Sequence, residues 1–222
     1  MRYANREEAG RKLAKRLLAW AAVPDLVVLA LPRGGVPVGF EVARELGAPL
    51  DVAVVRKLGV PGEEELAMGA VASGGALFLN PEVIGLLGIP AGTVDEVVRR
   101  EQKEVERRER VYRDGRAPLE IEGRTVILVD DGLATGATMR AAIDSVKRRK
   151  PARLIVAVPV AAASTCEDIG ALVDEIVCLA TPEPFYAVGL WYEEFPQLDD
   201  EDVRELLRTV RQDAPVSRRG RG

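Results

Sequence analysis

Two adjacent carboxylates, Asp130 and Asp131, stand between a run of branched apolar residues, Val126–Val129, and a stretch of small residues that ends at Thr138. Such a pair can accept hydrogen bonds from two neighbouring hydroxyls of a ligand, or it can hold a hydrated divalent cation. Because the chain turns where a strand ends, both side chains can face a ligand at the strand's carboxyl end. The pair therefore predicts a site for a vicinal diol, a cation or both.

The small residues after the pair predict a phosphate site. Glycine and alanine let a phosphate approach the backbone closely, and threonine hydroxyls offer further hydrogen bonds. The unpaired N–H groups and the dipole at the start of the following helix favour a dianion. The residues concerned are Ala134, Thr135, Gly136, Ala137 and Thr138. The alternative is an ordinary buried strand followed by a solvated acidic turn, but spacing, chemistry and local structure agree on a ligand site.

A second candidate for anion binding is the turn Pro32-Arg33-Gly34-Gly35, which lies between a predicted strand and a predicted helix. Adjacent glycines let two backbone N–H groups converge on an anion, and Arg33 adds charge and a fork of donors. This turn is neither a dinucleotide fingerprint nor a Walker A motif. A simple strand-to-helix turn is the alternative.

The elements that position these residues follow from apolar runs that alternate with helical patterns. Continuous apolar runs indicate strands buried on both faces, as in a parallel sheet. The predicted strands are Leu26–Leu31, Asp51–Val55, Val126–Val129, Leu154–Val160 and Glu175–Ala180. We expect an α/β fold in which a doubly wound, mainly parallel five-stranded sheet is flanked by helices, with a small flap subdomain.

Two capping boxes predict where helices begin. Asn5 with Glu8 opens a helix that runs to about residue 22, and Thr93 with Glu96 opens a long helix that runs to about residue 112. The many charges on the long helix are interpreted as a solvated face with ion pairs between neighbouring turns.

Arg56 and Lys57 end the second predicted strand and lie near the same crevice if the sheet has the expected order. Residues 58–66, which follow, are expected to form an exposed mobile loop. Its acids are interpreted as surface groups, except that Glu65, nearest the ordered part, is a candidate general acid or base. A hairpin that turns at Gly74-Gly75 comes next.

Composition excludes several classes of function. The sequence contains no histidine, so His-based triads and His-ligated metals are excluded, and any metal must have oxygen ligands, as Mg²⁺ has. The formal net charge of −4 argues against a dominant nucleic-acid surface. Cys166 and Cys178 lie in apolar segments and are expected to be buried thiols in a reducing compartment.

Nothing in the sequence predicts a membrane location. The N-terminus has no apolar signal region, and the longest apolar run, Leu154–Ala163, is about half of what a bilayer requires. A cytoplasmic protein is therefore predicted.

Aromatic residues make up only 5% of the chain, yet several stand between Pro182 and Pro196. Planar rings there can stack on a flat heterocycle and exclude water. The alternative is that they fill the core or a subunit interface, as expected for Trp191 and Phe195.

The stretch Val126–Thr138, which reads V-I-L-V-D-D-G-L-A-T-G-A-T, resembles the motif with which type I phosphoribosyltransferases bind phosphoribosyl pyrophosphate (PRPP). It departs from that motif at Gly132, where the family usually has an aliphatic residue. The resemblance implies that Asp130 and Asp131 are catalytic residues that hold the ribose hydroxyls. It also implies that residues 134–138 hold the 5′-phosphate.

The resemblance extends to the other anion-binding candidates. It implies that Arg33, Gly34 and Gly35 bind pyrophosphate, and that the peptide before Arg33 or Gly34 is cis. It also implies that Arg56 and Lys57 contact the pyrophosphate, with Lys57 acting in catalysis. Residues 58–66 correspond in position to the family's mobile catalytic loop.

The aromatic segment is similar to the base-binding segment of purine-salvage members. The similarity implies that Phe185 or Tyr186 stacks on the base, that Val188 offers backbone groups, and that Glu193 lies near the ring or near Mg²⁺. Together with Asp130 and Asp131, Glu193 would then bind the metal.

Taken as a whole, the resemblance implies one phosphoribosyltransferase-like domain, residues 1–212, with hood elements in residues 181–212 and a disordered tail, residues 213–222. The expected reaction transfers phosphoribose from PRPP to a nitrogen acceptor with Mg²⁺, releasing pyrophosphate. The acceptor is expected to be a nucleobase, with a purine favoured. A homodimer with no nucleic-acid or membrane partner is expected. The alternative is a regulatory PRPP sensor that keeps the fold and the site but performs no chemistry.

Overall fold

The computed structural model describes residues 2–213, without the side chains of residues 64, 65 and 211–213. Residues 214–222 of the predicted tail lie outside the described residues. The helices are α1 Arg6–Arg16, α2 Gly35–Leu46, α3 Pro81–Leu86, α4 Ala91–Arg113, α5 Ala137–Arg148, α6 Ala163–Gly170 and α7 Asp200–Asp213. The strands are β1 Leu26–Ala30, β2 Leu50–Val52, β3 Val55–Val60, β4 Glu63–Ala72, β5 Ala76–Leu79, β6 Thr125–Val129, β7 Arg153–Val160 and β8 Glu175–Ala180.

The main sheet has the order β2-β1-β6-β7-β8, and all its neighbouring strands are parallel. This confirms the predicted five-stranded α/β fold. Residues of β1 and β6 are buried on both faces, with Val28 and Ile127 in one apolar cluster and Val27 and Leu128 in the other. The continuous apolar runs exist because helices cover both faces of the sheet.

The register of the main sheet brings the two predicted anion sites together. Ala30, the last residue of β1, pairs with Val129, the last residue of β6. Carboxyl ends of parallel strands share one edge, so the turn after β1 and the acid pair after β6 start side by side. We call this edge the acid-pair edge.

The segment after β2 corrects the sequence prediction. The predicted strand Asp51–Val55 is interrupted, because β2 ends at Val52 and β3 begins a second sheet at Val55. Residues 58–66 are not a loop. They lie in an antiparallel hairpin in which Val60 pairs with Glu63. Glycine, proline and three acids in this stretch indicated a loop, but Leu58 and Val60 of β3 are buried in alternation, as a half-buried strand requires.

The second sheet, with the order β3-β4-β5, is called the small sheet. Its predicted turn at Gly74-Gly75 is confirmed, since β4 and β5 are antiparallel and a short 3₁₀ turn at Ser73–Gly75 connects them. The small sheet packs between α4 and α5. Movement of residues 58–66 stays a prediction.

The helix starts were predicted with mixed success. Asn5 caps α1, because its Oδ1 accepts the N–H of Glu8 at 2.9 Å. The helix ends at Arg16, and a 3₁₀ turn at Leu18–Trp20 follows it. The Thr93 cap is wrong: α4 starts at Ala91 after Pro90, and no side chain caps it.

The two cysteines form a disulfide, which corrects the prediction of free thiols. Cys166 lies on α6 and Cys178 on β8, with 6.7 Å between their Cα atoms. Sequence spacing carried no sign of this pair, because the packing of α6 on the sheet is what brings the two residues within bonding range.

None of the helices in the described part of the chain is both long and apolar enough to cross a membrane.

Candidate functional site

The glycine turn, residues 32–35, packs directly against the acid pair. A Cβ atom placed on Gly34 would lie 2.0 Å from Oδ2 of Asp131, and one on Gly35 would lie 3.1 Å from Oδ1 of Asp130. A side chain at Gly34 would displace the Asp131 carboxylate, and one at Gly35 would first meet the backbone, 2.8 Å from the oxygen of Val129, which explains why glycine occurs at both. The peptide between Pro32 and Arg33 is cis, which is one of the two positions expected.

Asp131 has a partner that the sequence did not reveal. Nε of Arg6, the first residue of α1, donates to Oδ2 of Asp131 at 2.8 Å, and both side chains are largely buried. The phenol of Tyr192 donates to the backbone oxygen of Asp131 at 2.6 Å. Nothing local to residues 6 or 192 signals these contacts, since they join residues far apart in the chain.

The environment shifts both carboxyl groups towards protonation. Burial raises the pKa of Asp130 well above its ordinary value, and the neighbouring charge of Asp131 raises it further. Burial also raises the pKa of Asp131, although the hydrogen bond and charge of Arg6 oppose that rise. A ligand that donates hydrogen bonds or brings positive charge would therefore stabilise the ionised pair.

The pair fits the oxygen ligands that Mg²⁺ prefers. No group of three or more carboxylate, histidine or cysteine side chains in the described residues could hold a metal ion. If Mg²⁺ binds here, the two aspartates are its candidate protein ligands, and water or substrate supplies the remaining ones. Glu193 is exposed, and its N–H donates to the backbone oxygen of Tyr3. Its role at a metal stays a prediction.

The predicted phosphate-binding residues 134–138, which we call the phosphate loop, lead into the first turn of α5. Gly136 precedes that helix with a φ of 72°, which favours glycine. Residues 134, 135, 137 and 138 are exposed. The loop is supported from below by α6, where Oγ1 of Thr165 donates to the backbone oxygen of Ala134 at 2.6 Å. The loop is thus held in place while its outer side stays open to a ligand.

The departure from the family motif at Gly132 has a packing explanation. A Cβ on Gly132 would lie 2.6 Å from Cγ1 of Val188 and 3.0 Å from Cγ1 of Val160. Val188 therefore occupies the space that a larger residue at position 132 would need.

The aromatic residues separate into exposed and packed ones. Tyr186 is 78% exposed, so its ring is open to a ligand. The ring of Phe185 stacks on that of Trp191, with 6.3 Å between ring centroids. Phe195 packs on Tyr192 and under the guanidinium of Arg6.

Arg56 and Lys57 face different parts of the molecule. Arg56 forms an ion pair with Glu101 of α4 at 2.8 Å. Lys57 instead lines a cavity of about 360 Å³ between the small sheet and α5, together with Ala137 and Thr138 of the phosphate loop. Of the two, Lys57 is the one that shares a cavity with residues of the predicted phosphate loop. The side chain of Glu65 is not described.

A second cavity, of about 300 Å³, lies beside the glycine turn. Its lining residues come from α1, from the glycine turn and from the segment before α7, and they are Arg6, Arg33, Gly34, Phe195, Pro196, Gln197 and Leu198. Arg33, a predicted anion-binding residue, lines this cavity together with Arg6, which the sequence did not single out. We call this space the two-arginine cavity.

Comparison with known proteins identifies the family of the chain. The phosphoribosyl transferase domain family matches residues 3–189. The crystal structure of TT1426 from Thermus thermophilus is 43% identical, covers 93% of this chain and 98% of its own, and superposes with a TM-score of 0.81.

Curated proteins of similar sequence include a proposed phosphoribosyl transferase and a PyrR protein. Rv0571c of Mycobacterium tuberculosis, named as a proposed phosphoribosyl transferase, is 44% identical over 94% of this chain. The chain spans about half of that relative, 47% of its length. The bifunctional protein PyrR of Roseiflexus is 35% identical over 54% of this chain and 62% of its own length.

Proposed function

Because the chain belongs to the phosphoribosyl transferase domain family, we propose that it binds PRPP at the acid-pair edge and transfers phosphoribose to a nitrogen acceptor, releasing pyrophosphate. One observation supports this more than any other: Gly34 and Gly35 pack against Asp131 and Asp130. A diol site and an anion site are therefore contiguous. PRPP needs the same adjacency, since its diphosphate is on C1 and its hydroxyls are on C2 and C3.

The acid pair and the phosphate loop hold the sugar in this proposal. Asp130 and Asp131 accept hydrogen bonds from the ribose hydroxyls, and backbone N–H groups and hydroxyls of residues 134–138 bind the 5′-phosphate. Positive charge develops on the ribose as the leaving group departs, so the buried carboxylates also stabilise the transition state.

The glycine turn receives the leaving group. The guanidinium of Arg33 and the N–H groups of Gly34 and Gly35 stabilise the departing diphosphate. Lys57, across the cavity from the phosphate loop, adds positive charge from the small sheet, and Glu65 stays a candidate acid or base. Mg²⁺, when bound by the acid pair, would supply charge neutralisation of the diphosphate.

The acceptor is proposed to be a nucleobase, with a purine favoured. Tyr186 offers an exposed ring for stacking, and Val188 offers backbone groups. Phe185 supports this segment by stacking on Trp191. A homodimer and a cytoplasmic location are retained as predictions from the sequence.

A pyrophosphate-release assay with PRPP, Mg²⁺ and a panel of bases tests the function. Release with one base supports the transferase, and an Asp130→Asn control should abolish that release. Binding of PRPP without release for any base would overturn the transferase in favour of the PRPP sensor. No binding of PRPP would contradict both.

A further inference from the structure

Arg6 is the buried cation of the acid-pair edge, at 7% exposure. Three interactions hold its guanidinium in place. Nε donates to Asp131, Nη1 donates to the backbone oxygen of Pro196 at 2.9 Å, and the group lies 3.7 Å from the ring centroid of Phe195. The side chain thus ties the start of α1 to the acid pair and to the segment before α7.

The third nitrogen of Arg6 is still available. The hydrogen bonds of Arg6 within the part of the chain that the structure describes are made by Nε and Nη1, and none is made by Nη2. In that same part, Nε1 of Trp191 is the one buried side-chain polar atom without a hydrogen-bond partner, so Nη2 is not fully buried. Since Arg6 lines the two-arginine cavity and its Nε and Nη1 are already bonded, Nη2 is the nitrogen left for a ligand there.

The cavity has the composition of an anion site. Two of its lining residues are arginines from different elements, and among the described residues that line it there is no carboxylate. Guanidinium groups bind phosphate oxygens through forked hydrogen bonds. Because Gly34 both lines the cavity and touches Asp131, the cavity begins where the diol site ends.

We propose that Arg6 is a binding residue for the diphosphate of PRPP, acting opposite Arg33 while it holds Asp131 in place. The proposal rests on the proposed function. Arg6 then has two tasks at once. Its Nε orients the Asp131 carboxylate, which accepts a hydrogen bond from a ribose hydroxyl, and its Nη2 donates to the neighbouring phosphoryl oxygens.

Two probes that differ only in the diphosphate separate these tasks. PRPP and ribose 5-phosphate, each with Mg²⁺, are titrated calorimetrically into the wild type, Arg6→Gln and the control Arg11→Gln. Arg11 lies on the same helix, is half exposed and pairs with Glu41 away from the site. We expect Arg6→Gln to reduce the preference for PRPP over ribose 5-phosphate by about tenfold, the usual effect of one lost charged hydrogen bond. Arg11→Gln should leave that preference unchanged.

A residue that merely orients Asp131 would give a different result. Ribose 5-phosphate would then lose at least as much affinity as PRPP, and that outcome, or unchanged affinities, would overturn the proposal. If Arg6→Gln does not fold, Arg6→Lys repeats the test, because a single ammonium group lacks the fork that lets Arg6 donate to Asp131 and to a phosphate from different nitrogens. A reduced preference then supports the proposal and a wild-type preference overturns it. A wild type that binds no PRPP contradicts the proposed function itself, which distinguishes the two failures.

Discussion

The acid-pair edge and the small sheet both adjoin the proposed PRPP site, yet they are built on different principles. At the acid-pair edge, β1 and β6 are buried on both faces, and the residues that follow them are held by backbone contacts. The small sheet lies between α4 and α5, and its burial is uneven along its strands. Leu58, Met68 and Val71 are in the core, whereas Leu77 and Phe78 are exposed. The acid-pair edge therefore fixes the geometry of the proposed site, and the small sheet covers that site.

The largest effect at the acid-pair edge should come from removing the charge of both aspartates. Asp130→Asn with Asp131→Asn should weaken PRPP binding about a thousandfold, because two charged acceptors are lost. The fold should survive with lower stability, because Asp131→Asn leaves the largely buried Arg6 without its carboxylate partner. Calorimetric titration measures the affinity, and Asp95→Asn, an exposed acid on α4, is the control. Unchanged affinity in the double variant would refute the placement of the sugar.

Truncation of a buried side chain in the small sheet should destabilise the protein as much as a similar truncation in the main sheet. Leu58 is fully buried, so Leu58→Ala should lower the free energy of unfolding by about 3 kcal/mol. Leu77→Ala, on a side chain that is 37% exposed, should cost about 1 kcal/mol or less. Urea unfolding measures both. If Leu58→Ala cost no more stability than Leu77→Ala, the buried side chains of the small sheet would contribute little to the stability of the fold.

The edge strand β8 is the least buried strand of the main sheet, and the disulfide links it to α6. Every residue of β8 is only partly buried, and Cys178 joins this strand to α6. Replacing both cysteines by serine should lower the free energy of unfolding by about 2 kcal/mol, because the open chain gains entropy when unfolded. Urea unfolding of the oxidised protein, with and without a thiol reductant, gives the same comparison. Identical curves would speak for free thiols in solution.

The smallest effect should come from the small sheet's contribution to chemistry. Lys57→Met should lower the turnover number about tenfold and change the KM for PRPP little, if Lys57 acts on the leaving group in the transition state. Kinetics of pyrophosphate release measures both constants, with Lys15→Met on the exposed side of α1 as the control. Equal losses in affinity and turnover would count against that role.

The two regions also differ in how well their sequences predict them. Strands buried on both faces appear as unbroken apolar runs, so β1, β6 and β7 were predicted within one or two residues. In the small sheet, the tip carries Pro61, Gly62 and three acids, and such residues are typical of loops as well as of hairpin turns. A strand that is half exposed and short offers little periodicity, which is why residues 58–66 were predicted as a loop.

The sequence by itself determined the main sheet, the acid pair with its phosphate loop, and the glycine turn after β1. Each of these depends on neighbouring residues, whose spacing and type limit what the local backbone can do. The contacts between distant residues were decided by the tertiary structure: Arg6 on Asp131, Thr165 under Ala134, and Cys166 bonded to Cys178. Strand order and helix packing bring these groups together, and a residue's own neighbours in the chain carry no record of which distant side chain it will meet.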